Sequence, residues 1–206
     1  RSSVRKISDW QPVLRGRHTW PLYYKGILIS GNLYLKSFIN PYYNNKNMKR
    51  GKKKVRVGFF SFTCCEGCTI VLVEALNKRY EKWTEALEIL NWNTIITSKK
   101  IEKMDIAFSE GEISTKEELK KIKKIRKKSK KIIAFGSGAD NGWPSNQRNN
   151  FSKEQKEKLK EFIKKYNQLK TIEPIKKYIQ VDDSIQGCPV DRNDVIKKID
   201  SLIENA

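Results

Sequence analysis

The sequence predicts an α/β protein built on a parallel sheet that is covered on both faces. Short and almost wholly apolar runs, "VRVGFFSF", "DIAF" and "KIIAF", alternate with longer segments in which Ile, Leu and Phe recur at helical spacing among lysines. Strands without a polar face belong to sheets buried on both sides, and their alternation with helices implies parallel pairing. A length of 206 residues fits one domain plus an extension, and is too short for two comfortable domains.

Residues 1–47 read as the extension. They are rich in aromatics and Asn ("WPLYYKGILISGNLYLKSFINPYYNNKN") and hold the only histidine, His18, which no partner motif accompanies. Met48 and "KRGKKKVRVGFF" then read as a natural start into a first strand, so residues 1–47 are either upstream sequence or a strand-containing arm. Residues 48–206 are expected to form the domain.

Within it the first strand is expected at 54–62, followed by a cysteine loop and a helix at 69–83. A strand or partly buried segment is expected at 87–97, a strand at 105–111 and a helix at 115–130. A strand at 131–138, a helix at 152–168 and a closing helix after Cys188, capped by Asp191 or Asn193, complete the series. In open parallel sheets the binding crevice lies at the carboxyl ends of the strands. Both the cysteine loop and "GSGADNGWP" fall there.

The formal charge is +20, and the extension carries eight of the 43 Lys/Arg and one of the 23 Asp/Glu, leaving +13 on residues 48–206. Runs such as "KEELKKIKKIRKKSKK" place lysines opposite an apolar stripe, the pattern of a solvated helix face. No nucleic-acid recognition motif accompanies them, so no nucleic-acid partner is expected. No apolar run reaches membrane-spanning length, and residues 1–25 lack the layout of a signal peptide. The expected compartment is a reducing cytoplasm, where cysteines serve metals or catalysis before disulfides.

Three of the four cysteines, Cys64, Cys65 and Cys68, lie within "TCCEGC", and Cys188 sits in a Gly-Cys-Pro turn. Cys65 and Cys68 form C-x-x-C at a strand-to-helix turn. Zinc, a redox dithiol and an iron-sulfur cluster all use that spacing, and inert buried thiols share it. Gly67 and Gly187 are small neighbours that let backbone approach inorganic sulfur.

Four stretches, "TCCEGCTIVLVEAL", "DIAFSEGEI", "KIIAFGSGADNGWPSNQRN" and "IQGCPVDRNDVI", occur in the order of the motifs in the small subunit of nickel-iron hydrogenases. The chain resembles that family, specifically its cytoplasmic sulfhydrogenase or coenzyme-reducing type, over residues 54–200. The family shares a domain with the 20 kDa subunit of NADH-quinone oxidoreductase. The resemblance implies a flavodoxin-like fold and a 4Fe-4S cluster relaying electrons from a nickel-iron large subunit, or a related subunit, to further electron-carrier subunits. It assigns three cluster ligands to Cys65, Cys68 and Cys188. The fourth belongs in a G-x-C-A turn, where this chain has Gly138. Cys64 is then either a replacement ligand, as the adjacent cysteines of the quinone oxidoreductase relatives suggest, or a small apolar residue closing the first strand. The alternative is a cluster-free scaffold or interaction subunit of the same family. Gly136, Gly142 and Pro144 are expected to shape the loop. Glu66 and Glu110 are expected to bond loop amides, and Trp143 and Arg148 to face a large subunit or solvent.

Overall fold

The computed structural model describes residues 53–96 and 100–205, together with a two-stranded antiparallel ladder of β1 (Tyr23–Tyr24) and β2 (Ile27–Leu28). The ladder belongs to a separate compact unit, residues 1–36. Beyond the ladder, the expectation for residues 1–47, His18 included, lies outside the described residues.

The sheet forms where β-branched and aromatic residues run together. Its strands are β3 (Val55–Ser61), β4 (Leu87–Trp92), β5 (Met104–Glu110), β7 (Ser129–Phe135) and β9 (Asp183–Ile185). Every pairing is parallel, in the order β4-β3-β5-β7-β9. Numbered along the sheet this is 2-1-3-4-5, the flavodoxin-like order. The chain leaves β3 in one direction to reach β4 and then crosses back to β5. The topological switch point therefore lies between β3 and β5.

Helices cover both faces. On one side α1 (Gly67–Lys78), α2 (Tyr80–Ala86) and α6 (Arg192–Glu204) bury Leu72, Ala75, Trp83, Val195 and Ile199 against Val55, Val57 and Phe59. Phe59 stacks on Phe108 with ring centroids 4.9 Å apart and an interplanar angle of 18°. On the other side α3 (Lys116–Lys128) buries Ile122 and Ile125 against Phe60, Ala107 and Ile132. Successive strand residues point to opposite faces, so the apolar run 55–62 feeds both cores.

The lysine-rich helices are amphipathic, as their spacing predicts. Each starts at a capping box: Thr115 with Glu118 on α3, and Ser152 with Gln155 on α5 (Lys153–Lys165). Asp191 caps α6 by accepting the Asn193 amide at 2.7 Å and the Asp194 amide at 3.2 Å. The expected helix 69–83 is instead two helices, broken at Arg79. A short helix, α4 (Ser137–Asn141), follows β7, and β6 (Ile113–Thr115) pairs with β8 (Gln168–Glu173) in a small antiparallel ladder.

Candidate metal centre

The cysteine loop leaves β3 at the switch point and is tied at once to the end of β5. Phe62 donates its amide to the Glu110 carbonyl at 2.9 Å, and Thr63 and Glu112 exchange backbone bonds at 3.2 and 3.1 Å. Glu66 then adopts a left-handed conformation, φ 60°, which lets α1 begin at Gly67. The first amides of a helix need acceptors from outside it. Glu110 supplies them: its buried carboxylate accepts the Cys68 amide at 3.2 Å and the Thr69 hydroxyl. Burial pushes the Glu110 carboxyl above the usual range, against the lowering effect of those bonds. Glu66 is exposed and makes no side-chain cap bond, so of the two expected acids only Glu110 bonds amides at the start of α1.

Cys68 is 7% exposed and sits against Gly136, where a Cβ would lie 2.6 Å from its Sγ. Gly136 also has φ +84°, a region that suits glycine. The amide of Gly136 reaches the Ile185 carbonyl at 2.8 Å, and that of Ser137 reaches the Gly187 carbonyl at 2.8 Å. These bonds hold the Gly-Cys-Pro turn beside the end of β7. The Val190 amide, two residues beyond Cys188, donates to the Cys68 sulfur and lowers its thiol against the larger effect of burial. A Cβ on Gly67 would meet the Cys65 Sγ at 3.4 Å and the Pro189 Cβ at 3.8 Å. Cys65, Cys68 and the Cys188 turn thus share one corner, with Cys65 and Cys188 at its exposed rim.

Cys64 stands to one side, half-buried, with its sulfur bonded by the Glu66 amide. Its Cβ would lie 2.8 Å from a Cβ on Gly111, and a Cβ on Gly138 would lie 3.1 Å from the Gly111 Cα. Cys64 and Gly138 therefore both pack against Gly111. Burial, then the Glu110 charge, push the Cys64 thiol up to about 12; burial raises Cys68 to about 11.

Around Gly138 the structure adds residues that the sequence does not single out. Glu112 is 4% exposed and accepts the Ser145 hydroxyl. The signal for it is a second acid directly after the strand-ending "SEG". Gly142, φ +81°, ends α4 by donating to the Ser137 and Gly138 carbonyls, and Pro144 follows through a cis peptide bond. Trp143 is 48% exposed, whereas Arg148 turns inward and bonds Gln168 at 2.6 Å and the Leu169 carbonyl. Arg148 therefore braces β8 rather than presenting its guanidinium to a partner or to solvent.

The site thus gathers cysteines from two loops at the carboxyl ends of the strands of a flavodoxin-like sheet. The chain belongs to the family of the NADH ubiquinone oxidoreductase 20 Kd subunit, whose profile matches residues 65–202. It is 30% identical over 143 residues to sulfhydrogenase 2 subunit delta of Pyrococcus furiosus, covering 69% of this chain and 60% of that protein. It is also 30% identical over 151 residues to a vhu subunit of the F420-non-reducing hydrogenase of Methanocaldococcus jannaschii, covering 66% and 51%. The chain thus spans between half and two thirds of the length of these relatives. Its fold matches a chain of an NAD+-reducing [NiFe]-hydrogenase with a TM-score of 0.66 at 19% identity, over 74% of this chain and 93% of that one. The Ni-Fe-Se hydrogenase from Desulfomicrobium baculatum matches with a TM-score of 0.55 at 14% identity, over 74% and 63%.

Proposed function

We propose that the chain is the iron-sulfur electron-transfer subunit of a nickel-iron hydrogenase-like oxidoreductase, carrying one 4Fe-4S cluster on Cys64, Cys65, Cys68 and Cys188. The observation that supports this best is the meeting of the Cys65/Cys68 loop with the Cys188 turn around Gly136, at the carboxyl end of β7. A side chain at 136 would occupy the space of the Cys68 sulfur.

The donor type suits such a group: the four thiols are soft donors carried on two loops, the kind an iron-sulfur cluster takes. Among the described residues no group of three or more His, Cys, Asp or Glu side chains is arranged to hold a metal ion. When bound, the cluster supplies single-electron transfer. The chain's own contribution is to hold the sulfurs: the Val190 and Glu66 amides stabilise Cys68 and Cys64 as thiolates, and Glu110 fixes the start of α1. Binding would release the thiol protons, offsetting the raised values of the free thiols.

These four cysteines are ligands for one such cluster. In this reading an electron passes between that cluster and neighbours: a nickel-iron large subunit over the exposed Cys65 and Cys188 rim, and further carriers, in the cytoplasm. Among the described residues no helix is long and apolar enough to cross a membrane. The test is low-temperature EPR of the anaerobic complex after reduction. A reduced-cluster signal assigned to this subunit is expected, and its absence in fully reduced, intact complex refutes the reading.

A further inference from the structure

The space beside Gly138 is filled from another element. A Cβ built on Gly138 lies 2.9 Å from Oε2 of Glu112, 3.1 Å from the Gly111 Cα and 3.4 Å from the Glu112 amide nitrogen. The first separation is closer than carbon and oxygen tolerate without movement. Glu112 is not free to swing into solvent: it is 4% exposed, its other oxygen accepts the Ser145 hydroxyl, and its backbone is paired with Thr63. The Cβ of Cys64 packs against the same Gly111, 2.8 Å from where a Cβ on that glycine would stand. A thiol and a turn crowded by Glu112 thus meet at one glycine.

We propose that Glu112 and Gly138 are an exchanged pair: the Glu112 side chain takes the volume that a side chain on residue 138 would need, and so selects Cys64 instead of the α4 turn as the source of a thiolate at this corner. The steric half of this statement stands on the contacts alone. The selection of Cys64 rests on the cluster reading above. Glu112 is a positioning residue here, acting by occupancy and by its bond to Ser145.

Two arms test the halves separately. The first uses the full chain without metal and reads its melting temperature. Gly138→Ala is expected to lower it by about 3 °C, a shift of the size that a modest packing clash produces in a domain of this length. In a Glu112→Ala background the same change is expected to cost less than half as much. Glu112→Asp, which withdraws the carboxylate by one methylene, serves if the alanine variant does not fold. Glu112→Gln keeps the volume and should give no relief. An equal cost in all backgrounds, or relief with Gln, overturns the pair.

The second arm measures iron and acid-labile sulfide after anaerobic reconstitution of the full chain. Cys64→Ser is expected to lose most of both, Cys64→Ser/Gly138→Cys to remain low, and adding Glu112→Asp to restore them at least twofold. Recovery already in the double variant, or none in the triple, overturns the selecting role of Glu112. A wild-type chain that takes up no cluster refutes the proposed function instead, and the melting arm still decides the exchanged pair.

Discussion

The Cys68 sulfur lies where Gly136 has no side chain: a Cβ on residue 136 would stand 2.6 Å from it. The contact joins the start of α1 to the end of β7, and with the Val190 amide it makes Cys68 the inner corner of the site.

Gly136→Ala is therefore expected to fail twice, by forcing φ +84° on a residue with a Cβ and by displacing the sulfur. A left-handed or strained conformation of this kind costs roughly 1–3 kcal/mol. Urea unfolding of the metal-free chain should show that loss, with an unchanged slope. Stability within error of wild type would mean that the loop relaxes freely and does not define the site.

The four thiols should differ sharply in reactivity when no metal is bound. Cys65 and Cys188 are exposed, whereas burial raises Cys68 to about 11 and Cys64 to about 12. Because the thiolate is the nucleophile, iodoacetamide at about pH 8 should modify the two exposed cysteines first. The other two should follow only as the pH approaches those values or as the chain unfolds. Mass spectrometry of the alkylated peptides reads the order, and equal rates at all four sites would contradict the packing described here.

Asp182 holds the junction of β7 and β9, on which the Cys188 turn depends. It accepts the Ile132 amide at 2.7 Å and pairs with Arg126 at 2.5 Å. Partial burial raises its carboxyl, but the Ile132 and Arg126 bonds outweigh this and hold it below the usual range. A lowered folded value means that the contribution is present above the unfolded value and is lost as pH falls through the folded one. Asp182→Asn should thus cost about 1–2 kcal/mol near pH 7, and the difference from wild type should shrink below about pH 4. A gap that stays constant to pH 2 would show that charge plays no part.

The parts of this fold that are legible in the sequence are those with a strong local pattern. Strands β3, β5 and β7 are apolar runs, and α3 and α5 carry an apolar stripe with a capping box. Strands β6, β8 and β9 are not, because "QLKTIE" and "DSI" become strands only through partners distant in sequence. The same division runs through the site. Cysteine spacing marks Cys65 and Cys68 as a pair, and the ordered motifs join Cys188 to them. The parts played by Glu112, Gly111 and the Val190 amide arise from contacts between loops, which no local pattern encodes. Arg148 departs from expectation for the same reason, since its partners Gln168 and Leu169 lie on β8, a strand that no local pattern announces.

The central claim is that this chain holds one four-iron cluster on Cys64, Cys65, Cys68 and Cys188. Its most direct test is the iron and acid-labile sulfide content of the anaerobically purified full chain, wild type beside Cys64→Ser. About four of each per wild-type chain are expected, with a loss of most of both in the variant. Fewer than about three irons per wild-type chain, or a full complement retained without Cys64, would contradict it.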